Sequence, residues 1–472
     1  MNMLLVAIDT LRADHLSSYG YVRNTSPRLD ALADEGILFE QCISQTAHTM
    51  PTFTTIVTGQ YPFTHGIVGT LYGHPNEPDQ VLDDETPVLA QMFREGGWLT
   101  AAFDNLMQFG CGPKWFVRGY DFYVNTVKRE SPFVARVWAE QINARLIPWL
   151  RMYGKEPFFL FVHYWDPHQP YNQPERFMDL HRGGPTPRTC TTPEGRTFLP
   201  RWGWTDRIGP EEQERIDRYD GEISYVDAEF GKVLDALKDM GLYKDTYIVV
   251  TADHGEDMEE HNAPFEHREI YRHTTHVPLI VKPAAEMGVQ VARRIEALVG
   301  HIDLMPTLLD WAGLGHPTGM DGVSLTPLVR GDVQSVHDHL FVGGGAIKQY
   351  ERWRCAEVGI RTAQYTYFKR GTAVLEPDHQ PKDLSNLCAP PWRWDRTRAW
   401  TDRVDFFNRL PKEELYDLST DPYELSNIVN DQASVAALLD ELVEDYVARN
   451  PDRFLGNCEG LWVGTHRYGL RV

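Results

Sequence analysis

Apolar residues fall along this chain in short continuous runs, each bounded by turn-forming residues. The clearest are "LLVAID" (4–9), "LTAAFD" (99–104), "FFLFVHY" (158–164), "TYIVVTAD" (246–253) and "VPLIVK" (277–282). Runs of this length and composition read as buried strands. Between them, helix-period stretches occupy 26–35, 86–96 and 212–241, the first with Ser26 at its cap and Pro27 in its first turn. Strands alternating with helices predict an α/β sandwich with a mostly parallel central sheet. In such sheets ligands sit beyond the carboxyl ends of the strands. Three runs end there in acids or imidazoles: Asp9, His163 with Asp166, and Asp253 with His254.

Beyond residue 330 the texture changes. Gly-rich "FVGGGAIKQ", strand-like "EVGIRTAQYTYFKR" and a Trp- and Pro-rich stretch at 389–400 predict a smaller α+β carboxyl-terminal domain. The expected organisation is therefore a catalytic α/β domain over 1–330 and a second domain over 331–472. Segment 178–210, rich in Gly, Pro, Thr and Arg, reads as a long loop or lid.

Composition narrows the function. The chain has 472 residues, 42% of them hydrophobic, with 13 Trp, which suits a globular core. Its apolar runs are too short to span a membrane. "MNMLLVAID" reads as a buried strand and not as a leader, so a cytoplasmic location is expected. The six cysteines are scattered without a C-x-x-C pair, which predicts thiols and not a disulfide framework. A net charge of −21 argues against nucleic acid as a partner. An anionic substrate would need local cations, metal ions with His and Arg, to reverse that field. Composition is silent on oligomeric state, and a homo-oligomer is compatible with it.

Asp253 and His254, side by side at a strand end in "TADHGED", make a divalent-metal half-site, and "VAIDTLRADH" adds Asp9 at the end of the first strand. These segments belong to an ordered series. "AIDTLRADHLSSYGY", "NTSPRLDALADEGILFEQC", "TIVTGQYPFTHG", "FFLFVHYWDPHQPY", "VVTADHGE", "HVPLIVK", "HIDLMPTLLDWAG" and "ELYDLSTDPYELSNI" follow one another from Met3 to about Ile428. Together they resemble the sulfatase family of the alkaline phosphatase superfamily. The resemblance implies that family's α/β core with a smaller carboxyl-terminal domain.

Sulfatases carry C-x-P-S-R before an "LLTG"-like helix, and its Cys is oxidised to formylglycine. Set against "IVTG", this chain reads Thr49-Met50-Pro51-Thr52-Phe53, with Thr49 in the place of the Cys and Phe53 in that of the Arg. Thr49 thus takes the nucleophile position at an expected helix amino terminus, where amides and dipole favour an anionic substrate. A Thr hydroxyl needs a metal or a base to become nucleophilic. The resemblance implies a single divalent ion held by Asp9, Thr49, Asp253 and His254. Thr10 stands where a second Asp is usual, so three oxygens and an imidazole suit Mn²⁺ or Zn²⁺ better than Ca²⁺ or Mg²⁺.

His168 of "WDPHQPY" corresponds to the family's substrate-binding His, and His267 to its Lys, as an acid for the leaving oxygen. His273 and His276 lie close in sequence, and Arg12 and His48 flank the metal motifs; all four are candidates for contact with substrate oxygens, or else structural partners. A second ion on Asp166, His168 and one of His267, His273 or His276 is the less favoured arrangement. Trp115, Trp165 and Tyr171 are candidate pocket walls or core. The leading expectation is a metal-dependent hydrolase of phosphate or phosphonate esters, diester or monoester, through a covalent Thr49 intermediate. The competing readings are a sulfuric ester hydrolase without formylglycine, a phosphoryl or phospho-alcohol transferase, and a binding module that has lost catalysis.

Overall fold

A computed structural model describes residues 1–68, 81–104, 114–125, 137–169, 171–182, 210–258, 269–345, 356–371 and 409–449, with a few short pieces between them. Most of the segment 178–210, and all of 389–400, lie outside the described residues.

The strands are β1 (Asn2–Ile8), β2 (Ile37–Ile43), β3 (Leu99–Asp104), β4 (Phe122–Asn125), β5 (Phe158–Tyr164), β6 (Thr246–Thr251), β7 (His276–Lys282) and β8 (Arg293–Gly300). They form one eight-stranded sheet in the order β8-β2-β7-β6-β1-β5-β3-β4. Only β7 runs antiparallel to its neighbours β2 and β6; the other pairings are parallel. Every residue of β1, β5, β6 and β7 is buried, as continuous apolar runs require of strands covered on both faces. The edge strands β4 and β8 are half-exposed, and their mixed patterns do not stand out as runs.

Helices α1 (Pro27–Glu35), α2 (Thr49–Thr58), α3 (Leu89–Glu95), α4 (Ala139–Tyr153), α5 (Pro210–Asp239) and α6 (Leu304–Trp311) accompany the sheet. The 30-residue α5 carries acids that look like a solvated face, yet Asp217, Asp220, Glu222, Asp227 and Glu229 are all buried. They hold loops. Asp220 accepts from the Tyr21 hydroxyl and Arg23 and pairs with His15, while Glu222 accepts from the Asn172 amide. Gly221 lets α5 approach this second loop, because a Cβ there would meet Gln173 Nε2 at 2.3 Å and the Phe177 carbonyl oxygen at 2.4 Å.

Past residue 330, β9 (His339–Gly345), β10 (Ala356–Thr362), β11 (Tyr365–Arg370) and β12 (Glu413–Asp417) make a four-stranded antiparallel sheet in chain order. Helix α7 (Ala433–Ala448) packs on it. A shared core containing Tyr271, Leu340, Tyr367 and Tyr416 joins this sheet to the turn before β7. Arg361 crosses the junction, pairing with Glu424 at 2.8 Å and donating to the Ile270 carbonyl at 3.0 Å. No helix among the described residues is long and apolar enough to cross a membrane.

Ser26 occupies the cap position of α1, but its hydroxyl turns to Asp30. The free amides of Arg28 and Leu29 are instead taken by Asp227 of α5, at 2.8–3.1 Å. Burial pushes the Asp227 carboxyl up from 3.8 to about 7, against the pull of those two amides. Between these values the folded state binds the extra proton, so this group's contribution to stability falls as pH rises from ~4 to ~7. Asp227→Asn keeps an acceptor and cannot ionise. Its advantage over the wild type in urea unfolding should be larger at pH 8 than at pH 5. Asp227→Ala should cost ~1 kcal/mol at pH 5 through loss of the cap. Equal Asn and wild-type midpoints at both values of pH would contradict the buried-acid account.

Candidate metal centre and active site

The carboxyl edge of the sheet gathers the side chains singled out in the sequence. Asp9 follows β1 directly, its amide bonded to the Tyr164 carbonyl at 2.9 Å as a continuation of the β1–β5 ladder. Thr10 then turns the chain with φ +55°, a left-handed conformation rare for a β-branched residue. That turn aims the Thr10 amide at Asp253 Oδ1 (3.0 Å), while Tyr219 of α5 donates to the Thr10 carbonyl (2.7 Å) and holds the turn in place. Asp253 Oδ1 accepts a second bond from the His254 amide at 2.8 Å. Gly255 follows because the chain presses against the turn before β7: a Cβ there would lie 2.0 Å from the His273 carbonyl oxygen.

His254 Nδ1 lies 2.9 Å from the Gly255 carbonyl oxygen, which can only accept, so Nδ1 carries the proton. The Nε2 lone pair therefore faces Asp253 Oδ2 at 3.2 Å and Thr49 Oγ1 at 3.3 Å. Asp9 Oδ1 and Asp253 Oδ2 are buried without a hydrogen-bond partner. Burial, and then the charges of Asp253 and Asp166, push the Asp9 carboxyl well above its ordinary range. One ligand atom from each of Asp9, Asp253 and His254 falls within 4.8 Å of the others. Two unpartnered carboxylate oxygens and an imidazole lone pair converging in a dry site fit a divalent cation, and Thr49 Oγ1 stands beside them.

Thr49 is the first residue of α2, after His48 at its cap. Pro51 sits in the first turn, where its missing N–H costs nothing. The amides of Thr49 and Met50 have no partner within the helix, and the helix dipole adds to their pull on an anion. A string of imidazoles lies next to them. The His267 ring is 4.3 Å from that of His254, 5.2 Å from His168 and 6.5 Å from His48. His168 gives its Nδ1 proton to the Gln169 carbonyl at 2.7 Å, and His267 Nδ1 faces Glu256 Oε1 at 3.2 Å.

The other candidates have partners of their own. Arg12 is buried, with Asp14 and the Glu256 carbonyl as partners. His273 pairs with Asp257 at 3.1 Å and stacks on His261 and Tyr271. His276 bonds the Glu40 carbonyl at 2.7 Å, and burial, with Arg272 nearby, pushes it down to about 3. Asp166 accepts from the Ala139 amide at the start of α4. Among the described residues, Asp166, His168, His267, His273 and His276 form no second group with metal-ligand spacing. Trp115 and Tyr171 are core, whereas Trp165 is half-buried with its ring 4.3 Å from His168.

Two residues of the site had not been given roles. His163 lies 3.2 Å from Asp9 Oδ2, and its strand-end position was the one visible signal. Glu256, the acid two residues after His254, takes His267 and the Tyr171 hydroxyl.

Comparison with known proteins bears on the family and the fold. The Sulfatase family model matches residues 1–314, and the model described as N-sulphoglucosamine sulphohydrolase, C-terminal, matches 259–389. The ulvan-active sulfatase of Formosa agariphila is 24% identical over 399 residues, 78% of this chain and 72% of that protein. The phosphonate monoester hydrolase of Agrobacterium radiobacter superposes with a TM-score of 0.69 at 21% identity, over 95% of this chain and 96% of that one. A second structure, determined in complex with its substrate D-glucosamine-2-N,6-O-disulfate, superposes with a TM-score of 0.68 at 18% identity, over 97% and 99%.

A bound divalent ion should stabilise the wild type by ~2.7 kcal/mol at a hundredfold excess over its Kd. Asp253→Ala should show no such gain in thermal unfolding. Asp9→Asn should move the two states in opposite directions. Without metal it removes a buried acid whose charge Asp253 repels, and raises the midpoint; with metal it loses the gain. A metal-free Asp9→Asn protein less stable than the wild type would contradict the electrostatic reading.

Proposed function

Since the chain belongs to the sulfatase family, we propose that it is a metal-dependent hydrolase of small anionic esters in which Thr49 Oγ1 is the attacking oxygen. Phosphate or phosphonate esters are its favoured substrates, and Mn²⁺ or Zn²⁺ its favoured ion. The observation that carries this reading is Thr49 Oγ1 at the amino terminus of α2, 3.3 Å from His254 Nε2 and beside two unpartnered carboxylate oxygens.

A divalent ion in the site lowers the pKa of a neighbouring hydroxyl and offsets substrate charge. The protein's groups do the rest. The Thr49 and Met50 amides hold the anionic oxygens of the ester at the helix terminus. Thr49 Oγ1 releases its proton to water and forms a bond to phosphorus as the ester P–O bond breaks on the far side. His267, held by Glu256, passes a proton to the departing oxygen, and His168 stands next to it. Water then hydrolyses the phospho-Thr49 link. A sulfated Thr49 has no such easy exit, because without an aldehyde hydrate it cannot collapse to release sulfate.

The sulfuric ester reading stands second and rests on the relatives, which are named predominantly as sulfatases. The phosphonate monoester hydrolases share the fold. Transfer of the phosphoryl group to an alcohol in place of water uses the same first step.

The test is a matched panel of aryl phosphate, phosphodiester, phosphonate and sulfate esters, run on protein stripped and reloaded with one metal at a time. Thr49→Ala should lose at least ~10³ in kcat, a barrier increase of ~4 kcal/mol, while still binding metal. Thr49→Ser should keep a measurable rate. Protein quenched during turnover should carry a phosphoryl-sized adduct on the Thr49 peptide. Undiminished turnover by Thr49→Ala would overturn the mechanism, and a wild-type preference for sulfate over the matched phosphate would install the sulfuric ester reading.

A further inference from the structure

We propose that His163 is a positioning residue for Asp9: its Nε2–H holds Oδ2, so that Oδ1 is the oxygen presented to the cation. The inference rests on the cation reading of the site. In the β1–β5 register His163 pairs with Ala7, and Ala7 and Asp9 lie two residues apart along the chain. Side chains two apart on a strand share a face, so the imidazole reaches the carboxylate along that face. The contact is 3.2 Å, and both side chains are fully buried.

The tautomer follows from what each nitrogen meets. Nε2 faces a carboxylate oxygen, and that contact is attractive only if Nε2 carries hydrogen. Nδ1 has no hydrogen-bond partner, so it is the nitrogen that can be left bare. The ring is held by packing. Phe53 meets it edge-on at 5.0 Å and 79°, and Trp165 lies at 6.5 Å and 82°. Phe53 in turn packs against Phe116 and Phe161. Asp9 therefore has one oxygen occupied by a donor that cannot rotate away and one with no partner. This makes it a one-oxygen ligand whose direction is set before any ion arrives. Groups that orient a ligand in this way typically change metal affinity 10- to 100-fold when removed.

The test uses the full chain, stripped of metal and titrated with Mn²⁺ and with Zn²⁺ by calorimetry, alongside thermal unfolding of each metal-free protein. His163→Phe keeps the ring packing and removes the donor. It should fold and bind the ion roughly 10- to 100-fold more weakly. His163→Gln returns an N–H near the Nε2 position and should recover affinity to within about threefold, well inside that range. Phe and wild-type proteins of equal affinity would overturn the positioning role and leave the cation reading standing. A folded Gln variant as weak as the Phe variant would overturn it too, even if the Phe variant proved unstable. A wild type that binds neither ion would remove the cation reading and this inference with it.

Discussion

Two carboxylates, Asp9 and Asp253, are buried within reach of one ion and offer it oxygens that nothing else satisfies. Left alone, such a pair is costly, since each charge is desolvated and each repels the other. The surrounding backbone relieves this only in part, at Asp253 Oδ1, and fixes the pair in place. The left-handed Thr10 turns an amide onto Asp253 Oδ1, the His254 amide binds the same oxygen, and Gly255 permits the close contact that locks the loop. Local strain at Thr10 of order 1–3 kcal/mol persists because Tyr219 and the sheet over-determine the turn. A site built this way is organised around a positive charge.

Helix α5 explains how the loops carrying that site stay in place. Its buried acids accept hydrogen bonds from the segment after β1, through His15, Tyr21 and Arg23, and from the segment after β5, through Asn172. The loops with Asp9 and His168 are thus tied to one rigid element. Part of the chain's large negative charge is consequently internal and paired, not spread as a repulsive field over the surface.

Much of this was legible in the sequence where the relevant physics is local. Central strands announce themselves as apolar runs because both faces are covered, and Asp9, Asp253 and His254 stand where those runs stop. Edge strands β4 and β8 were not legible, since half-exposed strands lack that signature. Partnerships across the chain were invisible for a different reason. The cap of α1 comes from Asp227, some 200 positions from the amides it binds, and the Ser26 signal pointed to the wrong group. His276 looked like a neighbour of the site by sequence, but as the first residue of an antiparallel strand it turns to the Glu40 carbonyl. Arg12 sits beside the metal motif, and its guanidinium bonds Asp14 and a backbone oxygen.

Phe53 shows how these parts depend on one another. An Arg here would add a cation next to Asp9, and its charge would need solvation in a pocket lined by Phe116 and Phe161. Phe53 makes that wall apolar, 1% exposed, and leaves His163 as the polar group bonded to Asp9 Oδ2. On the proposed reading, positive charge for an anionic substrate would come from the ion and from the imidazoles of His48, His168 and His267 near Thr49. With an overall charge of −21, an anion is drawn in only where that local field prevails. On that reading, recognition and nucleophile activation would depend on the same cation. A chain without its ion would then lose the attraction for substrate together with the means to attack it.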